Sequence, residues 1–82
     1  LGRHEEALRE IEKEPNEGYR LVAVAHCAAL RGDLAAGRAA RDALVARHAE
    51  DFPGYISDVC ASLGDTAGAL EWFERSIARR DN

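Results

Sequence analysis

The side chains in this sequence that can take part in chemistry are few, and their spacing limits what they can do. His26 adjoins Cys27, and Cys60 stands far along the chain. A zinc site needs CxxC or Cys/His pairs at short spacing, and neither occurs. Adjacent helical residues point about 100° apart, so His26 and Cys27 seldom share a ligand. The two cysteines read as buried, reduced thiols, small hydrophobes in apolar surroundings. Ser57, Asp58 and His26 contain the residue types of a hydrolase triad. However, Ser57 and Asp58 are neighbours in one helical stretch, without the sharp turn that exposes a nucleophile. The acid pairs Glu5-Glu6 and Glu50-Asp51 are not held across a cleft, as a glycosidase requires. The glycines form neither a GxGxxG nor a GK[ST] loop for phosphate. His4 and His48 stand among charged neighbours and carry no role beyond near-neutral protonation. No catalytic, cofactor or metal residue is assigned, and no enzyme activity is expected. What remains is recognition, for which aromatic side chains such as Tyr19 and Tyr55 are the natural anchors.

The scaffold for such recognition is small. The chain has 82 residues, 11 basic and 15 acidic, for a formal charge of −4. Surface scaling lets a chain of this mass bury roughly 60% of its surface, enough for a thin core and too little for an enclosed active site. The acidic balance, with no basic run longer than Arg79-Arg80, argues against nucleic acid or an anionic membrane as partner. The longest apolar stretch, Leu21 to Leu30, is broken by His26 and flanked by Arg20 and Arg31, well short of a membrane span. No basic segment followed by an apolar one marks a secretory signal, so a cytoplasmic setting is expected. The absence of Met suggests a piece of a longer chain, and the Ala- and Arg-rich composition suggests a bacterial one.

Turns punctuate the chain regularly. Leu1-Gly2-Arg3, Arg31-Gly32-Asp33 and Leu63-Gly64-Asp65 place a glycine at positions 2, 32 and 64. A period in the low thirties is the mark of a stacked repeat. Between the glycines lie two helical stretches each time, separated by Pro15-Asn16-Glu17-Gly18 or Asp51-Phe52-Pro53-Gly54. Five helices are predicted, roughly 4–14, 18–31, 33–49, 53–63 and 66–80, and no stretch alternates like a strand. Leu21, Val24, Ala25 and Ala28 share one face of the second helix, and Leu70, Phe73 and Ile77 one face of the last. Asp33 and Asp65 are placed to cap the helices that follow them. Glu5 with Arg9 and Glu71 with Arg75 are spaced as surface ion pairs.

Leu63-Gly64-Asp65-Thr66-Ala67-Gly68-Ala69-Leu70-Glu71-Trp72-Phe73-Glu74-Arg75-Ser76-Ile77 resembles the turn and second helix of the tetratricopeptide repeat, a unit of two antiparallel helices. Ala69 and Ser76 match its small positions and Phe73 its aromatic one, which in the family fills the space between units. Leu1-Gly2-Arg3-His4-Glu5-Glu6-Ala7-Leu8-Arg9-Glu10-Ile11 repeats the outline, with Ile11 in the aromatic place. The middle unit departs further. Arg41 holds the aromatic slot, Ala28 and Cys60 replace late tyrosines, and Asp81 stands where a closing proline is usual. The resemblance implies an all-α single domain, with antiparallel hairpins stacked as a short right-handed solenoid. It would hold an unpaired second helix (4–14) and two full hairpins (18–49 and 53–80).

In that family the first helix of each hairpin lines a concave groove that takes partner peptides. Here the matching positions are Tyr19, Val22, Ala23, His26, Ala29 and Leu30, then Asp51, Tyr55, Asp58, Ala61 and Ser62. The resemblance thus implies a non-catalytic interaction module, with Tyr19, Val22, Ala23, His26, Tyr55 and Asp58 as the leading contacts. The Lys, Asn and Arg side chains that clamp a C-terminal carboxylate in one well-known variant are missing, which favours an apolar or cationic partner segment. Leu8 and Ile11 on the unpaired helix, and Trp72 and Ile77 on the last, are expected contacts for self-association or for docking on a parent chain. The alternative reading is a structural or oligomerisation segment of a larger regulatory protein.

Overall fold

A computed structural model describes residues 3–80, of which the side chains of His4 and Arg80 are left undescribed. Gly2 and Asp81, to which the repeat pattern assigns a turn and the place of a closing proline, lie outside those residues. Five helices follow one another: α1 (Arg3–Glu12), α2 (Glu17–Arg31), α3 (Leu34–His48), α4 (Pro53–Ser62) and α5 (Thr66–Arg80). There is no strand among the described residues, so the chain is all-α as the periodicity predicts. Helix ends fall within two residues of those read from the sequence.

Both glycine turns have the same construction. Gly32 and Gly64 adopt left-handed backbone at φ 80°, a conformation with little penalty only for glycine. At the first turn the Gly32 and Asp33 amides donate to the carbonyls of Ala29 and Ala28. At the second, the Gly64 and Asp65 amides donate to those of Ala61 and Cys60. Each aspartate then caps the next helix, Asp33 Oδ1 accepting from Ala36 N at 3.1 Å and Asp65 Oδ1 from Gly68 N at 2.9 Å. Asn16 starts α2 in the same way, accepting from Tyr19 N at 3.2 Å. The repeat read from three glycines is therefore a repeat of hydrogen bonding at the two that are described.

These turns fold α2 against α3 and α4 against α5, and α4 packs on both α2 and α3. Helix α1 lies on α2, with Leu8 and Ile11 half-buried, and Arg20 fastens the connection by donating to the Glu14 carbonyl at 2.8 Å. The result measures 43 × 27 × 17 Å, two helix layers thick. Its core sits where α4 meets the first hairpin. Leu44, Ile56, Val59 and Cys60 are fully buried there, with Ala25, Ala40 and Phe52. Burying each of the large aliphatic groups contributes about 1.5–3 kcal/mol.

Two expectations need correction here. The stripe Leu70, Phe73 and Ile77 does not face the core. Helix α5 turns Ala69 and Trp72 inward, one position off that stripe, and leaves Leu70 and Phe73 59% and 53% exposed. A helix position one residue along points about 100° away, so periodicity alone did not reveal which apolar arc would be covered. The second correction concerns Val22, which is 9% exposed and belongs to the core cluster, so it is not a groove contact. Its backbone position lies on the side of α2 that receives α4.

Candidate functional site

The side chains singled out for recognition meet where α2 and α4 lie side by side. The two helices run in the same direction. Tyr19 meets Tyr55 with ring centroids 5.6 Å apart at 86°, and two turns further on His26 Nδ1 and Ser62 Oγ share a hydrogen bond at 2.9 Å. Between these two links the face presents half-buried Ala23 and exposed Asp58. Tyr19 and Tyr55 remain 46% and 44% exposed, so each ring has one side held and one side free. Leu30, at the far end of α2, stands almost wholly in solvent and touches neither link.

Phe52 holds the tyrosines. It is the residue before Pro53 at the start of α4, where no side chain caps the helix. Its buried ring lies over Gly18, edge-on to Tyr19 at 5.0 Å and tilted against Tyr55 at 5.4 Å. His48, at the end of α3, closes the cluster at 5.8 Å. The same His48 binds back to α2: Glu17 Oε1 accepts from its Nε2 at 2.8 Å, while Glu17 Oε2 accepts from Arg47 at 2.8 Å. The hydrogen bond from His48 holds the Glu17 carboxyl below its ordinary range. Burial opposes this, and the Arg47 charge reinforces it. Basic side chains at the end of α3 and a carboxylate at the start of α2 also suit the dipoles of both helices.

Sequence reasoning missed Phe52 and His48, reading the first as part of a turn and giving the second no role. The signal that finds them is the dipeptide Gly-Tyr, which occurs at 18–19 and again at 54–55, at the second and third positions of α2 and α4. A glycine in a helix invites a large neighbour to approach its backbone closely, and here that neighbour is Phe52.

Beyond Tyr55 the surface opens into a groove of about 580 Å³ between α4 and α5, lined by Gly54, Tyr55 and Asp58 on one wall and Phe73, Ser76 and Arg79 on the other. Arg79 lies 3.6 Å from Asp51 at its rim. Next to the groove, half-buried Trp72 carries the Arg75 guanidinium 4.4 Å from its ring centroid. Ile77 is exposed.

The residues considered for chemistry are engaged structurally. Ser57 is buried and its hydroxyl donates to the Ala69 carbonyl at 2.7 Å, pinning α4 to α5. Cys60 is a free thiol in the core, and burial, with the Asp65 charge nearby, pushes its pKa up, away from thiolate reactivity. Cys27 is half-buried on α2. Arg41, in the place where an aromatic was expected, is mostly buried and donates to Asp65 Oδ2 at 3.3 Å, so the carboxylate that caps α5 also ties it to α3. No cluster of three or more His, Cys, Asp or Glu suited to a metal occurs among the described residues, and none of their helices is long and apolar enough to cross a membrane.

Comparison with family models, with curated proteins and with solved structures finds no match to this chain in any of the three. The likeness to tetratricopeptide repeats rests on its own residues.

Proposed function

We propose that this chain is a non-catalytic protein-interaction module of the tetratricopeptide type, working in the cytoplasm, whose α2–α4 face binds a segment of a partner protein. The observation that carries the reading is the pair Tyr19 and Tyr55, each nearly half exposed yet fixed by a buried Phe52 between them. Large aromatic rings held rigid at a surface lose little conformational freedom on binding, which is why they serve as anchors. Ala23 leaves room between them and His26, and Asp58 suits a cationic group on the partner. Two hairpins give a shallow face, so affinity in the micromolar range is expected.

Selection of displayed peptides on the intact protein tests this. Enriched peptides should lose binding to Tyr19→Ala and Tyr55→Ala proteins and shift the resonances of Tyr19, Ala23 and His26. Peptides that bind both variants as well as the parent protein would remove the reading. A structural role through self-association has one observation in its favour, the exposed Leu70, Phe73 and Ile77. Sedimentation of the intact protein checks it, with a dimer that Ile77→Asp dissolves as the result expected of that role.

A further inference from the structure

The two hairpins present the same cradle, one filled by α4 and one open. In the first, between α2 and α3, the Phe52 ring lies on Gly18 so closely that a Cβ there would be 2.5 Å from Cζ, and Tyr19 meets the ring edge-on. Val22, one turn after Gly18, and Leu44 on α3 are buried in that cradle. In the second, between α4 and α5, the corresponding residues are Gly54, Tyr55, Asp58 and Ser76, and all four line the open groove with Phe73. The groove continues the aromatic interface between the hairpins, since Phe52 and Tyr55 belong to both.

The differences from the filled cradle define what would fit. Asp58 stands where Val22 is buried, and its carboxylate makes no ion pair among the described residues, whereas Arg79 is already 3.6 Å from Asp51. Charge complementarity therefore favours an occupant that brings a cation to Asp58. Helix α4 runs parallel to α2, and Asp58 follows Gly54 by the same four residues that separate Val22 from Gly18. A helix seated parallel to α4, with an aromatic ring over Gly54, places the residue four further on beside Asp58. In α4 itself these two positions are Phe52 and Ile56.

We infer that the α4–α5 groove is a second docking seat, taking an amphipathic helix of a protein partner that carries an aromatic residue at its start and Lys or Arg four residues later. The seat shares Tyr55 and Asp58 with the α2–α4 face but also uses Gly54, Phe73 and Ser76, which that face does not, so the two stand or fall separately.

The probe is a labelled peptide with the sequence of residues 51–63 in which Ile56→Lys supplies the cation, titrated with the intact protein by fluorescence anisotropy at low salt. Short isolated helices are marginal in water, so saturable binding of roughly 100 μM is expected. Restoring Ile56 in the peptide should weaken binding about threefold, in the range of an exposed ion pair, and added salt should erase that difference. Phe73→Ala in the protein, which removes an exposed ring and leaves the core untouched, should weaken binding about tenfold. Ala23→Arg, on the α2–α4 face alone, should leave it unchanged. No saturable binding up to about 1 mM, an affinity at the weak limit of specific recognition, overturns the proposal, as does equal affinity for the Phe73→Ala protein. A dimer of the protein alone that Phe73→Ala abolishes also overturns it, because the occupant is then a second copy.

Discussion

Gly18 and Gly37 offer a paired test of what the interior of this protein tolerates. A Cβ added at either would lie 2.5 Å from its nearest neighbour, too close for both to stay in place. The neighbours differ in their freedom to move. At Gly37 the contact is Leu63 Cδ2, a branch tip that swings away by rotation about χ2, while Cγ is already at a comfortable 3.7 Å. At Gly18 the contacts are Cζ, Cε1 and Cε2 of Phe52, at 2.5, 2.7 and 3.0 Å. Rotation about χ2 leaves Cζ where it is, because that atom lies on the rotation axis, and Tyr19, Tyr55 and His48 block the ring from sliding. Alanine in place of glycine inside a helix otherwise gains about 0.5–1 kcal/mol, while over-packing a filled core costs about 1–3 kcal/mol. Gly37→Ala should therefore be neutral to stabilising by up to about 1 kcal/mol. Gly18→Ala should be destabilising by about 1–2 kcal/mol, a fall in Tm of roughly 4–16 °C for a domain of this size. Thermal melts followed by far-UV circular dichroism, with the near-UV signal reporting the tyrosines, measure both. A Gly18→Ala protein that melts at or above the parent, or two variants that shift together, would refute the argument that ring confinement decides the sign.

Other outcomes follow from single contacts. Because the Glu17 carboxyl titrates below its unfolded value near 4.5, its contribution to stability is present above that pH and disappears as pH falls through the folded value. Melts across the acid range should show Glu17→Gln less stable than the parent near neutrality and indistinguishable from it at the acid end. Asp65→Asn keeps a capping oxygen but loses the charge facing Arg41, and should cost no more than about 1 kcal/mol at low salt. Asp65→Ala loses the cap as well and should cost about 1 kcal/mol more, read from urea midpoints. Cys60, buried with a raised pKa, should resist a thiol reagent at mildly alkaline pH until urea opens the core, which mass spectrometry of the labelled peptide would reveal.

The parts of this fold legible in sequence are those set by local chemistry. Gly32-Asp33 and Gly64-Asp65 carry their own turn and cap, so two bends and two helix starts could be read directly. Pro53 likewise stands at the start predicted for α4, whereas Asn16 reads only as part of a joint, which does not reveal its capping of α2. What failed depended on which neighbour arrived. Leu70, Phe73 and Ile77 form as good a helical stripe as Ala69 and Trp72 with their neighbours, and only the approach of α4 chooses between them. Val22 sits on the same helix as Tyr19 and Ala23, yet it turns into the core because Phe52 and Ile56 arrive on that side. Of the candidate contacts, Tyr19, Tyr55, His26, Ala23 and Asp58 do share one face, because α2 and α4 lie side by side with Tyr19 on Tyr55 and His26 on Ser62. The cluster under them was invisible because a lone Phe before a Pro reads as a turn until a glycine on another helix is seen to receive it.

Phe52 also governs how independent the second hairpin can be. Helix α4 begins without a capping side chain of its own, and the residue that marks its start is anchored in the preceding hairpin. Its boundary is thus borrowed from a neighbour, in contrast to α3 and α5, which carry their own. An excised segment spanning α4 and α5 would keep the Asp65 turn but fray at its leading end. The first hairpin thus supplies, through Gly18 and the core around Leu44, the surface that fixes where α4 begins.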